Sequence, residues 1–579
     1  MNATGHRTQR WDEEFDWVVL GGGVGGLTAA LVGALEGRRT LLIERGSRLG
    51  GTSARSSGTV WIPDNPYQRE QGVDDRAPAR QYLDALVGER APAALRERLL
   101  SAGPEMVRYL DARAGVRYQP YASAPDYRQE LPGATLAGRA LEPQPFDGRT
   151  LGAAFNRVAW PIPELMLLGG MMVTRGEVAR LLKVGKNLDS LLLGARLTAR
   201  FLLDRLRFRR GTRLVLGNAL VARLFKALLE RGVPVWFNAS ARELIREGGR
   251  VSGLVVETEG RVLRVGARLG VMLAGGGFPA SRELRERFLP RPTPLYTAAH
   301  EDCVGSTFAL AEAVGGTLGP RGEDNALWFP SSVARRKDGS LAVYPHIVLD
   351  RAKPGLVAVN AAGRRFVNEG VSYHDFTRAM YRAHAQTPAI PAWLVCDRRF
   401  LWKYGLGMVR PLTTRLGPYL DNGYLRRAQT VAGLARAIGV DENGLAATVG
   451  AQNGFAQTGV DLEFGKGGNA YDRANGDATH RPNPCLGPIA TPPFYAVAVH
   501  PTPLGTSLGL LTNEDANVLD AAGKPIAGLY ACGNDMHSPL GGEYPGPGAQ
   551  LGPAMTFGYV AALHAAHQPL PVPLPQPAR

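Results

Sequence analysis

A short apolar run, Val18-Val19-Leu20, leads straight into Gly21-x-Gly23-x-x-Gly26, and Ala and Leu then recur at helical spacing over 26–36. A second apolar run, 40–43, ends at Glu44. The spacing predicts a strand, a glycine turn, a helix and a second strand closed by a carboxylate, the βαβ unit of a dinucleotide site. Glycines let backbone approach a pyrophosphate, the helix start offers unpaired N–H groups, and a carboxylate accepts ribose hydroxyls. Taken alone, this unit fits NAD, FAD or a fold without cofactor.

Distant segments favour FAD. Glycine is 72 of 579 residues and clusters at 21–26, 275–277 and 541–548, as expected where backbone lies against a ligand. Residues 528–534, GLYACGN, resemble a second flavin motif, and 548–558, GAQLGPAMTFG, open a helix whose start can face the flavin O2. The stretch 50–58, GGTSARSSG, is similar to a small-residue loop that lies along the flavin. The expected FAD contacts are therefore Gly21, Gly23, Gly25, Gly26, Glu44, Arg45, Gly51, Thr52, Ser53, Gly58, Gly275, Gly276, Gly533, Asn534, Gln550 and Leu551. Residues 51–63 read as a loop.

The length exceeds what one core usually supports. Strand-like pieces recur at 234–237, 251–257 and 262–273, whereas 323–484 is richer in aromatics and prolines. The expected fold class is α/β: a Rossmann-like FAD-binding domain over 14–322 and 485–568, interrupted by an α+β substrate domain at 323–484. Phe494–Val499 reads as a strand of the returning FAD-binding part, with a final helix through about residue 566 and a proline-rich tail over 569–579.

Four scattered cysteines exclude a disulfide scaffold and a zinc site, so no metal is expected, and they suit a reducing, cytoplasmic setting. The polar first residues lack a signal-peptide core, and no apolar run is long enough to span a bilayer. A net charge of +15 raises a nucleic-acid hypothesis, but no reader motif accompanies it and no nucleic-acid partner is expected. Within 188–226, Leu188, Leu192, Ala195, Ala199, Leu202 and Leu206 form a helical stripe among Arg196, Arg200, Arg205, Arg207, Arg209 and Arg210. That helix either packs on the protein with a solvated basic face or makes a peripheral contact with an anionic membrane.

Three blocks carry a family resemblance: GGTSARSSGTVWIP, DRAKPGLVAVNAAGRRFVNEGVSYHDF at 350–376, and GGEYPGPGAQLGPAMTFGYVAALH at 541–564. The chain resembles the 3-ketosteroid Δ1-dehydrogenases, in the flavoprotein superfamily that also holds fumarate reductases. The resemblance implies FAD-dependent removal of hydrogens from carbons 1 and 2 of a 3-ketosteroid during steroid degradation. It implies that Tyr544 and the Gly548 N–H polarise the ketone and that Tyr373 is the base. A second tyrosine assisting it is Tyr127, with Tyr121 the alternative. A phenol near pKa 10 is a poor base at neutral pH unless its anion is stabilised. A quinone is a plausible electron acceptor for such an enzyme near a membrane. Glu543, before Tyr544, stands where a small or uncharged residue is expected, so its carboxylate should point away or be paired. His500 and His537 read as ordinary hydrogen-bonded loop residues, and Cys532 as a small apolar filler. The competing readings are a 3-ketosteroid Δ4-(5α)-dehydrogenase, a fumarate-reductase-like enzyme using Arg351, Arg364 or Arg365, and a non-catalytic lipid carrier.

Overall fold

A computed structural model describes residues 11–181, 187–347 and 350–568. The expectations for the proline-rich tail, and for the first ten residues, lie outside these.

The first sheet is built on strand Glu13–Leu20, flanked in parallel by Thr40–Ile43 and Arg261–Leu273, with Pro525–Ala531 and Val235–Trp236 further out. Its central residues alternate in direction but not in polarity: Val18, Val19, Leu41, Leu42, Val271 and Leu273 are all fully buried. Such continuous apolar runs mark a parallel sheet covered on both faces. Helices Val24–Leu35 and Leu551–His567 pack against one another over it. The pairing Leu20 with Ile43, Leu20 with Leu273, and Leu273 with Ala531 aligns four carboxyl ends at one edge. Glycines 21–26, Glu44, Gly275 and Cys532 follow those ends, where open α/β sheets bind ligands.

A second, antiparallel sheet runs Leu341–Pro345, Ala326–Arg335, Phe494–Thr506, Ala392–Asp397, Leu356–Val359. Its centre is Phe494–Thr506, which pairs with Ala392–Asp397 through its first half and with Ala326–Arg335 through its second. This differs from the expected boundary at 484. Phe494–Val499 is a strand, but it is held by this antiparallel sheet, because Ala496, Val497 and Val499 bury against the sheet's own core. His500 lies inside the same strand rather than in a loop.

Two more expectations change. Residues 51–63 contain a short helix, Gly51–Arg55, and a strand, Val60–Trp61, paired with Ala140–Pro143. In helix Leu188–Arg205 the buried residues are Ser190, Leu197, Phe201 and Asp204, while the stripe from Leu188 to Leu206 faces outward. Leu197 and Phe201 close a satellite core with Met171 and Val173. Asp204 accepts hydrogen bonds from the Thr212 backbone and hydroxyl, both at 2.8 Å, which turns this face inward. Among the described residues, no helix is long and apolar enough to cross a membrane.

Candidate active site

A cavity of about 400 Å³ runs from the glycine turn to a cluster of tyrosines. Every expected contact residue lines it except Gly58, which packs against Leu216 and Gly217 behind the wall.

At the first end, Gly21 adopts φ +109°, and a Cβ there would meet the Ala274 carbonyl at 2.2 Å. Only glycine permits this turn. The helix that follows starts at Gly23, which has no side chain to cap it, and carries no acid in its first turn; Ser53 Oγ accepts from the Val24 N–H at 3.3 Å, and the positive end of the dipole faces the cavity. The Glu44 carboxylate is oriented by the N–H groups of Gly22 and Gly46 at 2.8 and 2.7 Å. Burial pushes its pKa up to about 7 against those two donors. Asp535, missed at the sequence level, holds the second glycine cluster by accepting from Gly275 and Gly277 at 2.6 and 2.8 Å. Helix Leu551–His567 also begins at the cavity without a capping side chain or an early acid. A helix start at each end, a carboxylate aimed by backbone, and glycine walls fit a dinucleotide carrying a flavin. Cys532 is buried, with its sulfur 2.8 Å from where a Gly25 Cβ would lie, and burial raises its thiol pKa. It fills space.

At the other end three phenols meet. Tyr127 donates to Tyr373 at 3.0 Å, and its ring stacks on Tyr544 at 5.6 Å. Tyr373 opens helix Tyr373–His384, whose start is capped by Ser372 accepting from the Asp375 N–H at 3.0 Å. Tyr544 sits in the 541–548 turn, and its hydroxyl accepts from Gln550 at 3.3 Å. Gly548 lines the cavity, and its N–H has no protein acceptor among the described residues. Its φ of +95° puts a would-be Cβ 2.5 Å from the Thr59 carbonyl, so glycine is required. Burial raises the pKa of Tyr544, with the hydrogen bonds from Tyr373 and Gln550 opposing, so this phenol remains a proton donor at neutral pH. Burial, reinforced by the neighbouring phenols Tyr127 and Tyr544, lifts Tyr373 well above its usual value. Tyr121 also lines the cavity, and Tyr127 is hydrogen-bonded to Tyr373. Tyr471 and Phe329 complete the aromatic wall, with ring centroids 4.9 Å from Tyr127 and 4.5 Å from Tyr373 respectively. No local motif surrounds either.

The arginines of the competing reading are engaged elsewhere. Arg351 gives its donors to the carbonyls of His346, Ile347, Glu369 and Val371. Arg365 is bound by Glu369 and Asp461, and Arg364 is exposed. None of the three lines the cavity. His537 is nearly buried against Gly319, and its pKa is depressed by burial to about 4, so it stays neutral. Its Nδ1 has no hydrogen-bond partner among the described residues, unlike the expectation.

Fold and site together define a flavin-dependent dehydrogenase. The FAD binding domain family matches residues 16–551. The 3-oxosteroid 1-dehydrogenase of Mycobacterium tuberculosis is 36% identical over 572 residues, spanning 96% of this chain and 99% of its own. The 4-oxocyclohex-2-ene-1-carboxylate 5-dehydrogenase of Sinomonas cyclohexanicum is 34% identical, over 94% of this chain and 92% of its own. The crystal structure of 3-ketosteroid Δ1-dehydrogenase from Sterolibacterium denitrificans, in complex with 1,4-androstadiene-3,17-dione, superposes with a TM-score of 0.90 at 39% identity, covering 96% and 99% of the two chains. The chain belongs to the FAD-binding flavoprotein family, in the group that holds the 3-oxosteroid 1-dehydrogenases, and its cofactor is FAD.

Proposed function

We propose that this chain is an FAD-dependent 3-oxosteroid 1-dehydrogenase. The observation that carries this reading is the convergence of Tyr127, Tyr373 and Tyr544 at the end of the flavin cavity. The Tyr544 hydroxyl and the Gly548 N–H grip the ketone oxygen and stabilise the charge that develops there. That acidifies carbon 2, whose proton passes to the Tyr373 phenolate, held beforehand by a hydrogen bond from Tyr127, and leaves Tyr373 as the neutral phenol. Bound FAD supplies the acceptor for a hydride from carbon 1. Leu165, Met166, Met172, Val173 and Val178 continue the cavity as an apolar wall, suited to a fused-ring hydrocarbon body. Anaerobic addition of androst-4-ene-3,17-dione should bleach the flavin, while succinate and 4-oxocyclohexanecarboxylate should not. Bleaching by either of the last two alone would overturn the assignment. Tyr373→Phe should keep FAD and lose bleaching by about a thousandfold.

The same reading extends to the membrane. Helix Leu188–Arg205 turns Leu188, Leu192, Leu202 and Leu203 outward at 58–69% exposure. Arg196, Arg205, Arg207 and Arg209 are exposed with no acidic partner among the described residues. A leucine stripe edged by free guanidiniums suits an anionic bilayer surface. Beneath this helix, Val173 and Val178 belong both to the satellite core and to the cavity wall, so an apolar substrate, and a quinone acceptor, would enter from lipid. The protein should float with anionic vesicles and not with phosphatidylcholine alone, and Leu192→Glu with Leu203→Glu should abolish flotation.

A further inference from the structure

Glu543, the residue out of place in the sequence, closes a buried ion cluster behind the tyrosines. Both of its carboxylate oxygens accept from Arg378 Nη1 at 3.0 Å. Arg378 Nε donates to Asp324 Oδ2 at 2.7 Å, and Nη2 donates to the Gly542 carbonyl at 3.2 Å. Asp324 also accepts from Trp328 Nε1 at 2.8 Å. Asp324, Arg378 and Glu543 are each no more than 7% exposed, and none lines the cavity. Burial disfavours the Arg378 charge, but the two carboxylates overcome it and hold the guanidinium charged.

The connectivity gives the cluster its meaning. Arg378 is five residues after Tyr373 on the same helix, Glu543 immediately precedes Tyr544, and Asp324 leads into the antiparallel sheet. The turn before Glu543 is Gly541-Gly542, which by itself restrains nothing. The two phenols therefore sit on separate chain segments, and Arg378, forked onto Asp324 through Nε and Nη2 while its Nη1 holds both Glu543 oxygens, is a rigid link between them. Carboxylate-to-guanidinium pairs of this geometry fix orientation as well as charge. We infer that Arg378, Glu543 and Asp324 are positioning residues that set Tyr544 against Tyr373, so that the ketone grip and the base meet one substrate ring at the same time. This rests on the roles given above to Tyr373 and Tyr544.

The test is a double-mutant cycle on the FAD-loaded full chain, read as the anaerobic rate of flavin bleaching by androst-4-ene-3,17-dione. Glu543→Gln should slow bleaching about thirtyfold, the scale of a misplacement approaching an ångström. Glu543→Asp should restore the rate to within about fivefold of the parent. Glu543→Gln combined with Tyr544→Phe should be no more than about twofold slower than Tyr544→Phe alone, because the carboxylate acts through that phenol. Arg378→Lys, which keeps the charge and loses the fork, should reproduce the pattern. Losses that multiply in the double variant, a change below twofold in Glu543→Gln, or loss of FAD from both Glu543→Gln and Arg378→Lys would each overturn the inference. If instead Tyr544→Phe itself bleaches at the parent rate, the underlying assignment of Tyr544 fails.

Discussion

Tyr373 is where chemistry and electrostatics pull hardest against each other. The base proposed here must be deprotonated, yet burial raises this phenol well above its ordinary value. At neutral pH the phenolate is therefore a minor species, and each unit of pH multiplies it about tenfold. The rate of flavin bleaching should climb with a slope near one between about pH 7 and 9, and the climb should vanish in Tyr373→Phe. Glu44 titrates lower, near 7. Ribose hydroxyls donate to its ionised form, so FAD affinity should strengthen as pH rises from about 6 to 8, and Glu44→Gln should flatten that dependence, measured by fluorescence quenching on titrating apoprotein. That both residues would line one cavity was legible in the sequence because each stands inside a contiguous motif. Tyr471, Asp324 and Arg378 were not: each matters through neighbours 50 or more residues away (Tyr127 for the first, Arg378 and Glu543 for the others), and no spacing encodes that.

For elements, helix Leu188–Arg205 is the instructive case. Its periodicity was readable, but the helix has two apolar sides. Leu197 and Phe201, four apart, pack inward, whereas the longer stripe faces out. Period fixes the existence of a helix and not which side meets the core. Phe201→Ala should release the helix at a cost of about 3 kcal/mol, seen as faster amide exchange over 188–205. Leu203→Ala, at a 67% exposed position, should change stability by less than about 0.5 kcal/mol. Strand Phe494–Thr506 shows the complementary limit. The β character of residues 494–499 was plain from the sequence, but the strand's run on through His500 to Thr506 and its sheet were not, because partners 392–397 and 326–331 are a long-range choice.

Across the whole molecule, the region around the antiparallel sheet carries its own buried ion network. Arg365 binds Glu369 and Asp461, and Lys466 approaches Glu369 at 3.3 Å. Burial pushes Glu369 and Asp461 up, but Arg365, aided by Lys466 at Glu369, holds both below the ordinary carboxylate range. Their stabilisation is complete above the unfolded pKa and is lost as pH falls through the folded one, so acid unfolding should set in below about pH 4. Arg365→Met strands two carboxylates and should cost about 3–5 kcal/mol in urea unfolding.

The cofactor cradle has a temporal corollary. Its walls come from the opening glycines, from 275–276 and from 533–551, so the grip exists only once nearly the entire polypeptide has left the ribosome and its closing helix has docked. Yellow colour in a cell extract therefore counts finished molecules. Nascent or C-terminally clipped chains should stay pale, however well their first βαβ unit has folded.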